Sequence, residues 1–143
     1  MRIVAIDSAA VTVHAESPLL EKLDEDDRAA VAAALRRRSY PPGSAIISQG
    51  EIGTDFFVIL QGTVVVLRDG EPVAELGPGA FFGELGAMDP GPGYALARNA
   101  TVRAKTSVDV GVVDEAGFAD LLRSRPAFRD AIYATSAQRE RHT

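Results

Sequence analysis

From Tyr40 to Val113 the chain is a succession of short β-type runs, each closed by a glycine-containing turn, and this punctuation limits what it can fold into. The runs are Ala45–Ser48, Phe56–Leu60, Thr63–Arg68, Pro72–Leu76, and Thr101 onward through Val108–Val113. Gln49-Gly50, Gln61-Gly62, Asp69-Gly70 and Gly77-Pro78-Gly79 separate them. Many short strands with closely spaced turns must close on one another, as a barrel or roll does. Asp69-Gly70, between two apolar runs, is the sharpest hairpin signal, because both residue types tolerate the left-handed backbone of a two-residue turn.

Helical patterns flank this region. Ser17-Pro18 is a helix-start signature with proline at the first helical position. A stronger start lies at Asp24, followed by Glu25, Asp26 and Asp27, and the helix is expected to run through an Ala-rich stretch to Arg36, Arg37 and Arg38. Acid at its start and base at its end suit the helix dipole, so the arginine triplet reads as a helix end rather than an anion patch. Pro41-Pro42-Gly43 stops it. After Asp114, an expected N-cap, Phe118, Leu121 and Leu122 share a face. Pro126 opens a last helix in which Phe128, Ile132, Thr135 or Ser136, and Arg139 recur at helical spacing. The order is helix, β-roll, two helices. With 143 residues this makes one compact domain, 17-143, preceded by an N-terminal arm, 1-16.

Several function classes fall away on residue content. The formal net charge of -5 gives no general attraction to a phosphate backbone, so direct nucleic-acid binding is not expected. The absence of cysteine removes disulfides, thiolate catalysis and thiolate metal sites. A metal centre in a small roll needs converging histidines, and the two present, His14 and His142, lie outside the strands. No nucleophile–histidine pair is evident, so the chain is not expected to be an enzyme. Met1–Ala15 lacks the apolar core of a signal peptide, and apolar runs fall far short of the roughly 20 residues that span a bilayer. A cytoplasmic protein with no membrane partner is the expectation.

One stretch reads as more than scaffold: Phe81-Phe82-Gly83-Glu84-Leu85-Gly86-Ala87-Met88, then a Pro/Gly-rich loop, then Arg98-Asn99-Ala100-Thr101-Val102-Arg103-Ala104. A chain leaving a strand through a glycine into a helical turn gathers free backbone N–H groups, which suit an anion. An arginine fork grips phosphate, and a carboxylate accepts a hydrogen bond from a sugar hydroxyl. Together they suggest a ligand that is both anionic and a sugar.

On these residues, with Gln49-Gly50-Glu51 and Phe57-Val58-Ile59-Leu60-Gln61-Gly62 in order before them, the chain resembles the cyclic nucleotide-binding domain family over about residues 18 to 138. The resemblance implies a mainly β fold with flanking helices, a double-stranded β-helix (jelly-roll-like β-roll) between an N-terminal helix and C-terminal lid helices. It implies that Glu84 accepts from the ribose 2′-hydroxyl, with backbone groups of Gly83 and Leu85 holding sugar and phosphate. Arg98 would pair with the cyclic phosphate, supported by the N–H groups of Asn99 and Ala100. Val73 and Leu76 resemble positions that pack on the base or ribose, and the last helix closes over the base. No cofactor is implied. The ligand is a cyclic nucleotide, with cyclic AMP favoured as the commoner one; cyclic GMP stays open because Asn99 both donates and accepts.

Glu84 and Arg98 are 14 positions apart, more than the family usually shows, with Asp89-Pro90-Gly91-Pro92-Gly93-Tyr94 between them. The expected reading is a tolerated surface insertion. The alternative is a degenerate domain that binds no nucleotide and serves as a protein-interaction module. Arg103 is expected on a solvent face opposite Val102, Phe81 and Phe82 as core plugs, and Tyr133 as packing rather than a lid on the base. The chain leaves no room for a DNA-reading head after its last helix, so a stand-alone sensor, or the sensory piece of a longer chain, is expected. An unidentified effector protein or domain would read the last helix, which also offers a surface for a homodimer.

Overall fold

The computed structural model describes residues 19–51, 53–84 and 100–141. A short 3-10 turn, Leu19–Lys22, leads into helix α1, Glu25–Ala34, whose N-cap Asp24 accepts from the Asp27 N–H at 2.8 Å. Strands β1 (Arg36–Tyr40), β2 (Ala45–Ile47), β3 (Phe56–Gln61), β4 (Val64–Arg68), β5 (Glu71–Leu76), β6 (Phe81–Phe82), β7 (Thr101–Ala104) and β8 (Val108–Val113) follow. Helices α2 (Glu115–Ser124) and α3 (Pro126–Arg141) close the chain, α2 capped by Asp114, which accepts from Gly117 N–H at 2.8 Å.

Among the described residues the strands form two antiparallel sheets, β1-β8-β3-β6 and β2-β7-β4-β5. The first sheet has the second sheet on one face and the helices on the other. Residues of β3 therefore alternate between two cores. Phe56 and Val58 join Val31, Phe118, Phe128 and Ile132 under the helices. Phe57 and Ile59 join Val64, Leu76, Phe82 and Val110 inside the roll. A strand buried on both faces reads as an unbroken apolar run, which is why Phe56-Phe57-Val58-Ile59 shows no polar alternation.

The expected hairpin is present: Asp69 at φ 53° and Gly70 at φ 82° join β4 to β5 by a two-residue turn, with Arg68 paired to Glu71. The Gln49 amide holds this turn from outside, donating to Asp69 Oδ1 at 2.9 Å and accepting from the Asp69 N–H at 2.8 Å.

The arginine triplet corrects the expectation. Helix α1 ends at Ala34, and Arg36, Arg37 and Arg38 are extended in β1, paired with Val112, Gly111 and Val110 of β8. Leu35 lies over Gly111, where an added Cβ would come within 2.7 Å of its methyl carbons. Pairing with β8 outweighs the modest helix preference of arginine. A helix dipole acts locally, whereas the partner that sets this conformation is more than 70 residues away. The strand expected to lead into Gly83 is present as the two-residue β6.

Candidate functional site

The site is built outward from β6. Phe81 points into the helix-side core, its ring 5.5 Å from Phe56. Phe82 points into the roll, stacked on Phe57 at 4.8 Å. Both are 3% exposed, so the chain enters the next turn gripped from two sides. Gly83 follows at φ 86°, a backbone conformation that favours glycine. Glu84 is thereby turned inward and is 2% exposed.

A buried carboxylate is costly unless hydrogen-bonded. Glu84 meets this need across the fold: Ser136 Oγ of α3 donates to Glu84 Oε2 at 3.2 Å. Ser136 is itself 3% exposed, on the helix face that buries Phe128, Ile132 and Thr135. The last helix thus lies directly against the cassette carboxylate. Helical periodicity offers Thr135 or Ser136 for the inward face, and both are buried; a hydroxyl among apolar positions is the available signal of a contact, since a buried hydroxyl needs a partner.

The other candidate residues divide. Ala100, 7% exposed, stands immediately before β7. Leu76 is 6% exposed in the roll core, paired with Val64 of β4. Val73 is half-buried and is the extra residue where the β4–β5 register shifts, between Pro72, paired with Leu67, and Ala74, paired with Val66. Leu85, Arg98, Asn99, the 89-94 insertion and the arm 1-16 lie outside the described residues. Val102 is buried and Arg103 exposed, as strand alternation requires. Tyr133 is 48% exposed on the flank of α3.

A second buried carboxylate, Glu75 of β5, pairs with Lys105 at 2.8 Å. At the elbow between α2 and α3, Arg125 reaches Asp27 of α1 at 3.4 Å, tying the N-terminal helix to the start of the last one. Among the described residues no group of three or more His, Asp or Glu side chains is arranged to hold a metal ion. Nor is any helix among them long and apolar enough to cross a membrane.

Residues 37–125 match the family model described as the cyclic nucleotide-binding domain. The chain is 36% identical over 122 residues to the cAMP-dependent protein kinase regulatory subunit of Schizosaccharomyces pombe, covering 80% of this chain and 28% of that one. The crystal structure of the Thermus thermophilus catabolite activator protein is similar at TM-score 0.75 and 28% identity, over 87% of this chain and 59% of that one. The regulatory subunit of a cAMP-independent protein kinase A from Trypanosoma brucei is similar at TM-score 0.71 and 31% identity, over 84% and 42% of the two chains. The chain spans about a third or less of the length of the curated relatives it matches.

Proposed function

The chain belongs to the cyclic nucleotide-binding domain family, and we propose that it is a regulatory sensor that binds cyclic AMP in preference to cyclic GMP and signals through α3. The observation that carries this reading is the position of Glu84. It follows a left-handed glycine at the end of β6, buried, in direct contact with the last helix. A carboxylate placed there accepts a sugar hydroxyl, and whatever it binds is felt by α3. Arg98, together with the N–H groups of Asn99 and Ala100, would neutralise the single phosphate charge. Gly83 and Leu85 would contribute backbone groups, and Leu76 and Val73 apolar contact. The family and the kinase relative are regulatory, and we assign the chain no catalysis of its own. The effector that reads α3 would be another protein or another domain.

The switch needs two positions of α3 with different affinity for the nucleotide, because a ligand shifts an equilibrium only by its preference between states. Hydrogen exchange over residues 126–137 is expected to change on saturation with cyclic AMP; identical exchange would dismiss the helix as the output.

A second reading has one observation in its favour. The Trypanosoma brucei neighbour, the regulatory subunit of a protein kinase A described as cAMP-independent, has the same fold at 31% identity, so this fold does not by itself guarantee a response to cyclic AMP. Under that reading the domain is a protein-interaction module. Calorimetric titration with cyclic AMP and cyclic GMP separates the two. Binding is expected, with Arg98→Ala costing at least about 1.5 kcal/mol, the scale of a charge-assisted hydrogen bond. Glu84→Gln should weaken binding similarly. Absence of heat with either nucleotide, in a chain shown by melting to be folded, would favour the second reading.

A further inference from the structure

We propose that the outer edge of β1 is a docking strand for an extended peptide segment that carries a run of acidic side chains. Such docking does not depend on which nucleotide the roll takes.

Strand β1 ends the order β1-β8-β3-β6, and among the described residues only β8 pairs with it. In an antiparallel pair each strand turns half of its N–H and C=O groups away from its partner. Those outward groups of Arg36–Tyr40 make no backbone hydrogen bond to another described segment. A free edge of this kind accepts a further strand, which is how extended peptides add to sheets.

The first four residues of β1 are exposed. Pairing fixes which way their side chains lean. Arg36 and Arg38 stand opposite Val112 and Val110, so they share the roll side of the sheet, and Arg37, opposite Gly111, takes the helix side. An incoming strand therefore meets cations at three successive positions, on both of its faces. Alternating acids cannot answer that; consecutive ones can.

Little inside the molecule claims these charges. The Arg36 side chain has no ion-pair partner among the described residues. Arg37 lies 3.8 Å from Asp109 with 64% of its side chain exposed, and Asp109 already accepts from Ser39 Oγ at 2.6 Å. Arg38 donates to Tyr40 Oη at 3.2 Å and feels the charge of Asp55 less than it feels Tyr40. Exposed pairs of this kind are weak and give way to a better-placed carboxylate.

The same charges select the partner. Two β1 strands from two copies, paired about a two-fold at Arg37 or Arg38, would set arginine against arginine, and like charges directly opposite destabilise a sheet. A nucleic acid or an anionic membrane would meet the charges and leave the strand's N–H and C=O groups unpaired. The formal net charge of -5 disfavours both. An acidic peptide strand satisfies the charges and the backbone together.

Titration of the full chain with a capped peptide of about seven residues, three consecutive glutamates flanked by valine and threonine, tests this against a strand of 5 residues. Two control peptides accompany it: one with lysines in place of the glutamates, one with the glutamates kept and alternate backbone nitrogens methylated. The glutamate peptide should bind and slow hydrogen exchange of the outward amides of residues 36–40. The lysine peptide should bind about tenfold more weakly or worse, the combined scale of three exposed charge contacts. The methylated peptide should lose a similar factor, about tenfold, with its main-chain donors. The triple variant Arg36→Gln, Arg37→Gln, Arg38→Gln should erase the preference for glutamate over lysine. Arg36→Glu with Arg38→Glu should reverse it, with melting curves establishing that each variant is folded. Should a variant not fold, the two control peptides decide the outcome on the wild-type chain alone. Equal binding of the methylated peptide would reduce the edge to a charged patch and overturn the inference, as would equal binding of the lysine peptide or no binding of the glutamate one. Tighter binding at residues 36–40 by a phosphatidylserine vesicle or a single-stranded oligonucleotide would overturn it as well.

Discussion

Glu75 and Lys105 illustrate how unevenly the two halves of a buried ion pair bear on stability. Glu75 is 4% exposed; its Oε2 takes the lysine at 2.8 Å, while Oε1 has no hydrogen-bond partner among the described residues. Lys105 is 36% exposed at its side chain. Removing the lysine strands a buried carboxylate, whereas replacing the glutamate with an apolar side chain removes the desolvation problem altogether. Lys105→Met should therefore cost about 1–3 kcal/mol, discounted from the full buried-pair figure for the exposure of the lysine. Glu75→Leu should cost less, under about 1 kcal/mol. Urea unfolding of both variants checks the order. At this scale the cassette was partly legible in the sequence. Gly83 and Glu84 stand where a strand, a left-handed glycine and a carboxylate are readable in a row. The contact from Ser136 was not readable, because it joins residues 52 positions apart through the docking of a helix.

Turns carry much of the specification of the strands. Gly62 sits at φ 93°, and a Cβ placed on it would lie 2.2 Å from the Ser107 carbonyl oxygen. Backbone conformation and backbone contact both exclude a side chain there. Gly62→Ala should destabilise the fold by about 3 kcal/mol or more, beyond the ordinary effect of a glycine substitution. A large drop in melting temperature with unchanged secondary structure below it would confirm this; a shift of a degree or two would contradict it. The same logic explains what was legible among the elements. Asp24 and Asp114 were readable as caps, and Asp69-Gly70 as a hairpin, because each acts on backbone a few residues away. The arginine triplet was misread as a helix end because its conformation is set by β8, and local preference says nothing about a distant partner. Strand β6 is readable only from its context, the turn at Gly83 that it leads into, because two residues cannot show a period.

Taken whole, the molecule has two cores threaded by common strands. Phe56 touches Phe81, Phe118 and Phe128, so it joins the site strand to both C-terminal helices. Phe57 and Phe82 stack in the roll, one residue along on each strand. Neither core can melt without disturbing strands that serve the other, so unfolding should be a single transition. Phe56→Ala should lower stability by about 3–5 kcal/mol, and far-ultraviolet and near-ultraviolet signals should still coincide. Separate midpoints would mean the cores are independent. The broad architecture was legible in advance because punctuated strands between helical patterns permit few arrangements, yet the division into two cores was not, since an unbroken apolar run does not say which residues face which way. That same ambiguity has a consequence for folding. A one-residue slip of β3 along β8 would trade Phe56 and Val58 for Phe57 and Ile59, an error that polarity cannot detect. The slipped frame does, however, bring Gln61 or Thr63 to the carbonyl of Ser107, where only a residue without a side chain fits. Gly62 thus proofreads the alignment: a wrong pairing is rejected at the strand's end by steric veto, after hydrophobicity has approved it.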